Sequence, residues 1–129
     1  PLPEGATALV YSRGSVPATT LGMLQKGMTS VTAASKVAYT AVAGDQIVVD
    51  TVANPVTITL PSSPAVGDEV TIMDGSASNG FATNNCIINR GGEPIEGSAA
   101  NDTLATNNQC VTLIYSNATK GWLYKSTNQ

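Results

Sequence analysis

The sequence predicts an all-β protein: a small antiparallel β-sandwich, jelly roll or barrel, preceded by an extended N-terminal arm. Three observations lead there. Val56–Leu60 (VTITL) alternates strictly, with Val56, Ile58 and Leu60 on one face and Thr57 and Thr59 on the other. Glu69–Met73 (EVTIM) and Gln109–Tyr115 (QCVTLIY) carry the same period of two. Turn chemistry separates these runs, in Asp74-Gly75, Asn79-Gly80 and Arg90-Gly91-Gly92-Glu93. Short strands at this spacing read as a sandwich or small barrel.

The elements follow in chain order. Residues 1–38 hold Pro1, Pro3, Pro17 and four glycines, and no strand or helix period persists. Ala18–Met28 has room for a short helix, weakened by Gly22 and Gly27. Leu9, Val10, Tyr11, Leu21, Leu24 and Met28 make the segment too apolar for a solvated linker, so it reads as an arm that docks on a partner. Leu21, Leu24 and Met28 fall on one helical face at i, i+3 and i+7 and are the expected partner-binding residues. The β domain then spans residues 39–129. Gln46–Val52 is rich in β-branched residues. Pro55 and Pro61 bracket the VTITL strand. Cys86–Asn89 and Pro94–Ser98 read as short strands, the latter at an edge, and Trp122–Lys125 pairs back as the last. Val56, Ile58, Leu60, Val70, Ile72, Val111, Leu113 and Tyr115 form the expected core, with Trp122 beside them.

Composition narrows the function. Leu, Ile, Val and Phe make up 28 of 129 residues, while Thr, Ser and Asn make up 37. Such a chain has a thin core of its own and gains by burying surface against copies of itself or a partner. It has no histidine, which excludes His-containing catalytic triads and His-based metal sites within one chain. Net charge is −3, and the six Lys and Arg residues are scattered, so no phosphate-binding stripe forms and nucleic acid is not an expected partner. The longest uncharged runs, 51–67 and 103–119, are broken by Pro or filled with Thr and Asn, and neither can span a bilayer. The N-terminus has no secretory pattern, so synthesis in a reducing cytoplasm is expected, with Cys86 and Cys110 read as reduced thiols and a disulfide between them as the second reading.

The residues with chemistry to offer read mostly as structure. Glu93 and Glu96 are the nearest carboxylate pair, but a tight turn points them at solvent rather than at a shared sugar. Asp74, Ser76, Ser78 and Asn79 supply only one charge for a calcium loop. Asp45 and Asp68 each follow a glycine and precede a strand, the setting of an Asx-type bond to the backbone. Ala82-Thr83-Asn84-Asn85 recurs as Ala105-Thr106-Asn107-Asn108, each copy leading into a strand near a cysteine. The pair suits bends, with carbohydrate binding as a second reading, and makes a hairpin-scale echo rather than a solenoid period. No catalytic, cofactor-binding or metal-binding residue is expected.

Four pieces, YTAVAGDQIVVDT, VTITLPSSPAVGDEVTIMD, FATNNCIINRGGEPIEGS and VTLIYSNATKGW, span Tyr39 to Trp122. In order and spacing they resemble a β module recurrent in virion proteins of tailed bacteriophages, tail fibres especially. The resemblance covers about two-thirds of the chain, and TLP-x-x-P-x-x-GD-x-V is its most specific part. It implies a structural, commonly trimeric module of a phage particle without enzymatic activity, and it supplies no ligand residues. The short stretch after Trp122 and the arm before Tyr39 fit a head decoration, or cement, protein better than a long fibre. The expectation is a homotrimer located in the virion and assembled in the host cytoplasm. Its partner would be the major capsid protein or another virion protein, reached through the arm. The alternative is a short tail fibre or fibre tip that touches host surface glycan.

Overall fold

The computed structural model describes residues 28–32 and 36–128, and these form nine β-strands with no helix among them. The strands are β1 (Met28–Thr32), β2 (Ala38–Thr40), β3 (Gln46–Asp50), β4 (Val56–Thr59), β5 (Glu69–Asp74), β6 (Cys86–Asn89), β7 (Asp102–Leu104), β8 (Cys110–Asn117) and β9 (Gly121–Asn128). They make a five-stranded sheet ordered β1-β3-β5-β8-β9 and a four-stranded sheet ordered β2-β4-β6-β7. Neither sheet closes into a barrel.

From β1 to β6 the chain visits the two sheets in turn. Each visit to both sheets completes one coil, and each coil stacks on the one before. Met28 lies beside Gln46, 18 residues on, and Ala38 beside Thr57, 19 residues on. β3 pairs β5, and β4 pairs β6, in the same parallel sense. After β6 the chain reverses: β7 runs antiparallel to β6, β8 to β5 and β9 to β8.

This corrects the antiparallel expectation, since both sheets are mixed. The period of two assigns each side chain to a face but carries no information about strand direction. A parallel pair needs a crossover, commonly through a helix. Here the crossover is a strand of the opposite sheet, so β2 links β1 to β3 and β4 links β3 to β5. The coil steps lie between β1 and β6 and are not marked by the ATNN echo, whose copies flank the antiparallel β6–β7 pair.

The register of faces holds as expected. Val56, Ile58, Leu60, Val70, Ile72, Val111, Leu113 and Tyr115 are all buried, while Thr57 and Thr59 lie on the outer face of the second sheet. Ile47 and Val49 of β3, Cys86 and Ile88 of β6, Ala41, Leu104, Phe81, Ile95 and Trp122 complete one core shared by both sheets. Each large aliphatic removed from water contributes about 1.5–3 kcal/mol before ordering costs. Trp122 is fully buried and meets Tyr115 edge to face, with ring centroids 5.6 Å apart.

Two segments differ from expectation. Met28–Thr32, within the range assigned to the arm, is a strand paired with β3 over five residues. The β region thus begins before Tyr39, and Met28 sits in extended backbone rather than in the last turn of a helix. Leu21, Leu24 and most of the arm lie outside the described residues. Pro94–Ser98 is a turn and not a strand. Ile95 bridges both Ser98 and Trp122, and the turn lies against the outer edge of β9. Trp122 N donates to Pro94 O at 2.8 Å, and Glu96 N to Trp122 O at 2.8 Å. Gly121 makes this approach possible: a Cβ there would fall 1.9 Å from Pro94 O.

Candidate functional site

The loops gather at two ends of the molecule. At one end two turns of the same construction feed β3 and β5. In Val42–Asp45, Asp45 N donates to Val42 O at 3.1 Å and Val42 N donates to Asp45 Oδ2 at 2.9 Å. In Ala65–Asp68 the matching bonds are 3.0 and 2.8 Å. Gly44 and Gly67 hold the third position at φ 89° and 94°, as a type II turn requires. The expected Asx-type roles of Asp45 and Asp68 are thus present, directed at the amide three residues before each Asp. Tyr39 adds its hydroxyl to Asp45 Oδ2 at 2.9 Å. Each turn is also stapled to the next strand along the sheet, by Gly44 N to Glu69 O at 2.7 Å and Gly67 N to Tyr115 O at 2.9 Å.

At the other end the two ATNN copies meet. Asp74, the last residue of β5, is their hub. Its Oδ1 accepts from Ser76 N at 2.9 Å, and its Oδ2 accepts from Phe81 N at 3.1 Å and Asn108 N at 3.0 Å. Asn107 Oδ1 accepts from Ala82 N at 3.0 Å, so one copy is bonded to the other. Thr51 is buried beside them. Ser76 Oγ accepts from Thr51 N at 2.8 Å, Thr51 Oγ1 donates to Asn79 O at 3.0 Å, and Asn84 Nδ2 donates to Thr51 O at 2.8 Å. Asn79 and Asn108 take φ of 49° and 64°, a conformation asparagine tolerates better than most residues. Burial raises the Asp74 pKa, but the bonds from Ser76, Phe81 and Asn108 outweigh it and hold the carboxyl below its ordinary range. A carboxylate that receives three backbone amides ties loops together. The bend reading of the echo therefore has direct support here, and the calcium reading finds its one charge already engaged. Among the described residues no group of three or more Cys, Asp or Glu side chains is placed to hold a metal ion.

The remaining candidates are separated. Glu93 and Glu96 each bond a different strand residue instead of facing solvent alone. Glu93 Oε1 accepts from the Tyr115 hydroxyl at 2.8 Å, and Glu96 Oε2 accepts from Tyr124 N at 2.9 Å. The Tyr124 hydroxyl in turn donates to Asp102 Oδ2 across the gap between the two sheets. Burial, with that bond, pushes the Tyr124 phenol well above its ordinary range. Cys86 is buried in the core and Cys110 is half-buried on the opposite sheet, and both are free. Burial, with the Asp74 charge nearby, raises the Cys86 thiol to about 12, so it is inert as a nucleophile.

Sequence reasoning singled out Asp74 but not its partners, which are amides 7 and 34 residues further along. It also missed the Asp102–Tyr124 bridge, whose members sit on different sheets. No protein-family model matches the chain, and a search of curated proteins returns no significant match.

Proposed function

We propose that this chain is a structural protein of a bacteriophage virion: a homotrimeric, sandwich-like β module that decorates or cements the capsid and docks through its N-terminal arm. The observation that carries the reading is β1. The arm leads directly into a strand with five residues in register on β3. A pull on a docked arm would load that hydrogen-bond ladder lengthwise, across many bonds at once. An anchor built into a sheet edge suits a protein that must hold a particle together. The loop ends agree with a scaffolding role, because the carboxylates of Asp45, Asp68 and Asp74 each fasten backbone.

Because β1 belongs to the sheet, a deletion that tests the arm should stop at residue 27. Undecorated heads are incubated with the full chain or with residues 28–129 and then sedimented. The full chain is expected to co-sediment and the truncated chain to stay in the supernatant with its β-sheet circular dichroism intact. Equal binding by both would place the docking surface on the β domain and overturn the anchor role. A gel of purified virions showing only a few copies per particle would overturn the decoration role in favour of a tail appendage.

A further inference from the structure

On one side of the molecule the edge strands β7 and β9 face each other, and the Tyr124–Asp102 bond spans the gap. A hollow of about 210 Å³ opens there, lined among others by Asp102, Thr103, Thr106, Gln109 and Tyr124. A second hollow of equal volume adjoins it and shares Asp102 and Tyr124. Thr106 belongs to the second ATNN copy, whose neighbour Asn107 is tied to the first. The loop that walls the hollow is therefore fixed before any ligand arrives.

Gln109 marks the hollow as more than a surface dent. Its residue is only 5 % exposed. Its Oε1 accepts from Thr106 N at 3.3 Å, and none of the described groups receives the protons of Nε2. That nitrogen is not sealed in the core, and the hollow is the space Gln109 lines. An amide donor held by a buried residue at the wall of the hollow, with no partner among the described residues, is open to one from outside. The same hollow holds an acceptor. Asp102 takes Thr103 N on Oδ1 and the Tyr124 hydroxyl on Oδ2, and each carboxylate oxygen keeps a further lone pair. Thr103 and Thr106 bring hydroxyls that both donate and accept. Among the described residues no Lys or Arg lines either hollow, while Asp102 and Glu96 line them with negative charge, which disfavours an anion. Donor, acceptor and hydroxyls around an aromatic residue match a neutral, hydroxyl-rich ring.

We propose that the hollow between β7 and β9 binds one ring of a neutral saccharide. Gln109 Nε2 donates to a ring hydroxyl, Asp102 accepts from another, and Tyr124 forms the wall. This is a binding activity in addition to assembly. The isolated protein would show it whether or not the chain decorates a shell, so its failure leaves the assembly reading untouched.

The test uses the full chain, labelled with ¹⁵N, and follows amide resonances during titration. The probes are methyl glycosides of galactose, mannose and N-acetylglucosamine, with N-acetylneuraminic acid as the anionic arm. At least one neutral glycoside is expected to shift Thr103, Thr106, Gln109 and Tyr124 in a saturable way, and the anionic sugar to bind more weakly. Gln109→Glu keeps an oxygen for Thr106 N but replaces the donor with a carboxylate beside Asp102. It should lower affinity about tenfold, the size of one lost hydrogen bond, with the rest of the spectrum unchanged. Thr57→Ala, on the outer face of the other sheet, should bind as the unaltered chain does. The proposal is overturned if no neutral glycoside moves these resonances, if Gln109→Glu binds equally well, or if the shifts map to the Asp74 end instead. Binding of the anionic sugar as tight as that of the neutral ones would overturn the assignment of ligand class.

Discussion

The two loop ends solve the same problem with different parts of the chain. The Val42–Asp45 and Ala65–Asp68 end is built from backbone turns, with glycine supplying the conformation and one carboxylate clasping each turn. The Asp74 end is built from side chains that reach across loops, with Asp74, Thr51, Asn84 and Asn107 each bonding backbone 25 or more residues away. Turns set by local geometry can be read and broken one at a time. A network of long-range bonds to amides has a single point whose loss frees several loops together.

The largest expected effect tests the backbone-built end at its tightest point. Gly121→Ala forces a Cβ onto Pro94 O at φ 71°, combining a steric clash with left-handed backbone. We expect a loss of roughly 3–5 kcal/mol, measured by urea denaturation, or no folded protein at all. A folded variant within about 1 kcal/mol of the parent, well under one ordinary core defect, would mean that the 94–98 turn can leave β9 freely.

Next comes the hub. Asp74→Ala strands the amides of Ser76, Phe81 and Asn108. We expect about 2–3 kcal/mol, since the loops are partly open to water and can recover some hydration. Hydrogen exchange should rise together at residues 76–84 and 105–108. If only the Ser76 amide became labile, the two ATNN loops would be held independently and the contrast between the ends would fail.

A milder change sharpens the comparison from the other side. Gly67→Ala meets open space and keeps only the strain of φ 94°, so about 1 kcal/mol is expected, confined to one turn. A loss as large as that of Gly121→Ala would show that the paired turns act as a unit rather than singly.

The smallest effect is one of pH. The folded Asp74 carboxyl titrates below its ordinary value of 3.8. A depressed folded pKa contributes stability above the unfolded pKa and loses it as pH falls through the folded one. Stability should therefore decline as pH drops below about 4, and Asp74→Asn should flatten that decline relative to the parent chain. An identical acid slope in both would assign the pH dependence to other carboxylates.

What the sequence made legible follows from the range over which each feature is encoded. VTITL, EVTIM and QCVTLIY name their own inward faces, and those eight core positions are buried as read. The GD turns are likewise local. The direction of pairing is not, because alternation looks the same in parallel and antiparallel strands. β1 (MTSVT) and β2 (AYT) carry almost no large apolar alternation and join the sheets through backbone ladders, so nothing in their side chains announces them. Asp74 stood out as a turn residue, but backbone amides have no sequence signature and its role as hub could not be read. The Asp102–Tyr124 gap is a meeting of two sheet edges and exists only once the topology is set.

The alternation of the chain between two sheets has a consequence for how the protein can change length. Between β1 and β3 each sheet gains one strand for 18 or 19 residues, and the side chains of the new strand inherit the faces of the one before. An in-frame duplication of such a segment would therefore insert a whole layer without turning any existing residue from core to solvent. Deletion of one would remove a layer just as cleanly. The β7–β9 portion, whose strands each run antiparallel to their partners, β7 on β6, β8 on β5 and β9 on β8, offers no equivalent unit. Lineages of this protein should accordingly differ by coil-sized steps in the N-terminal half and hold their C-terminal half at constant length.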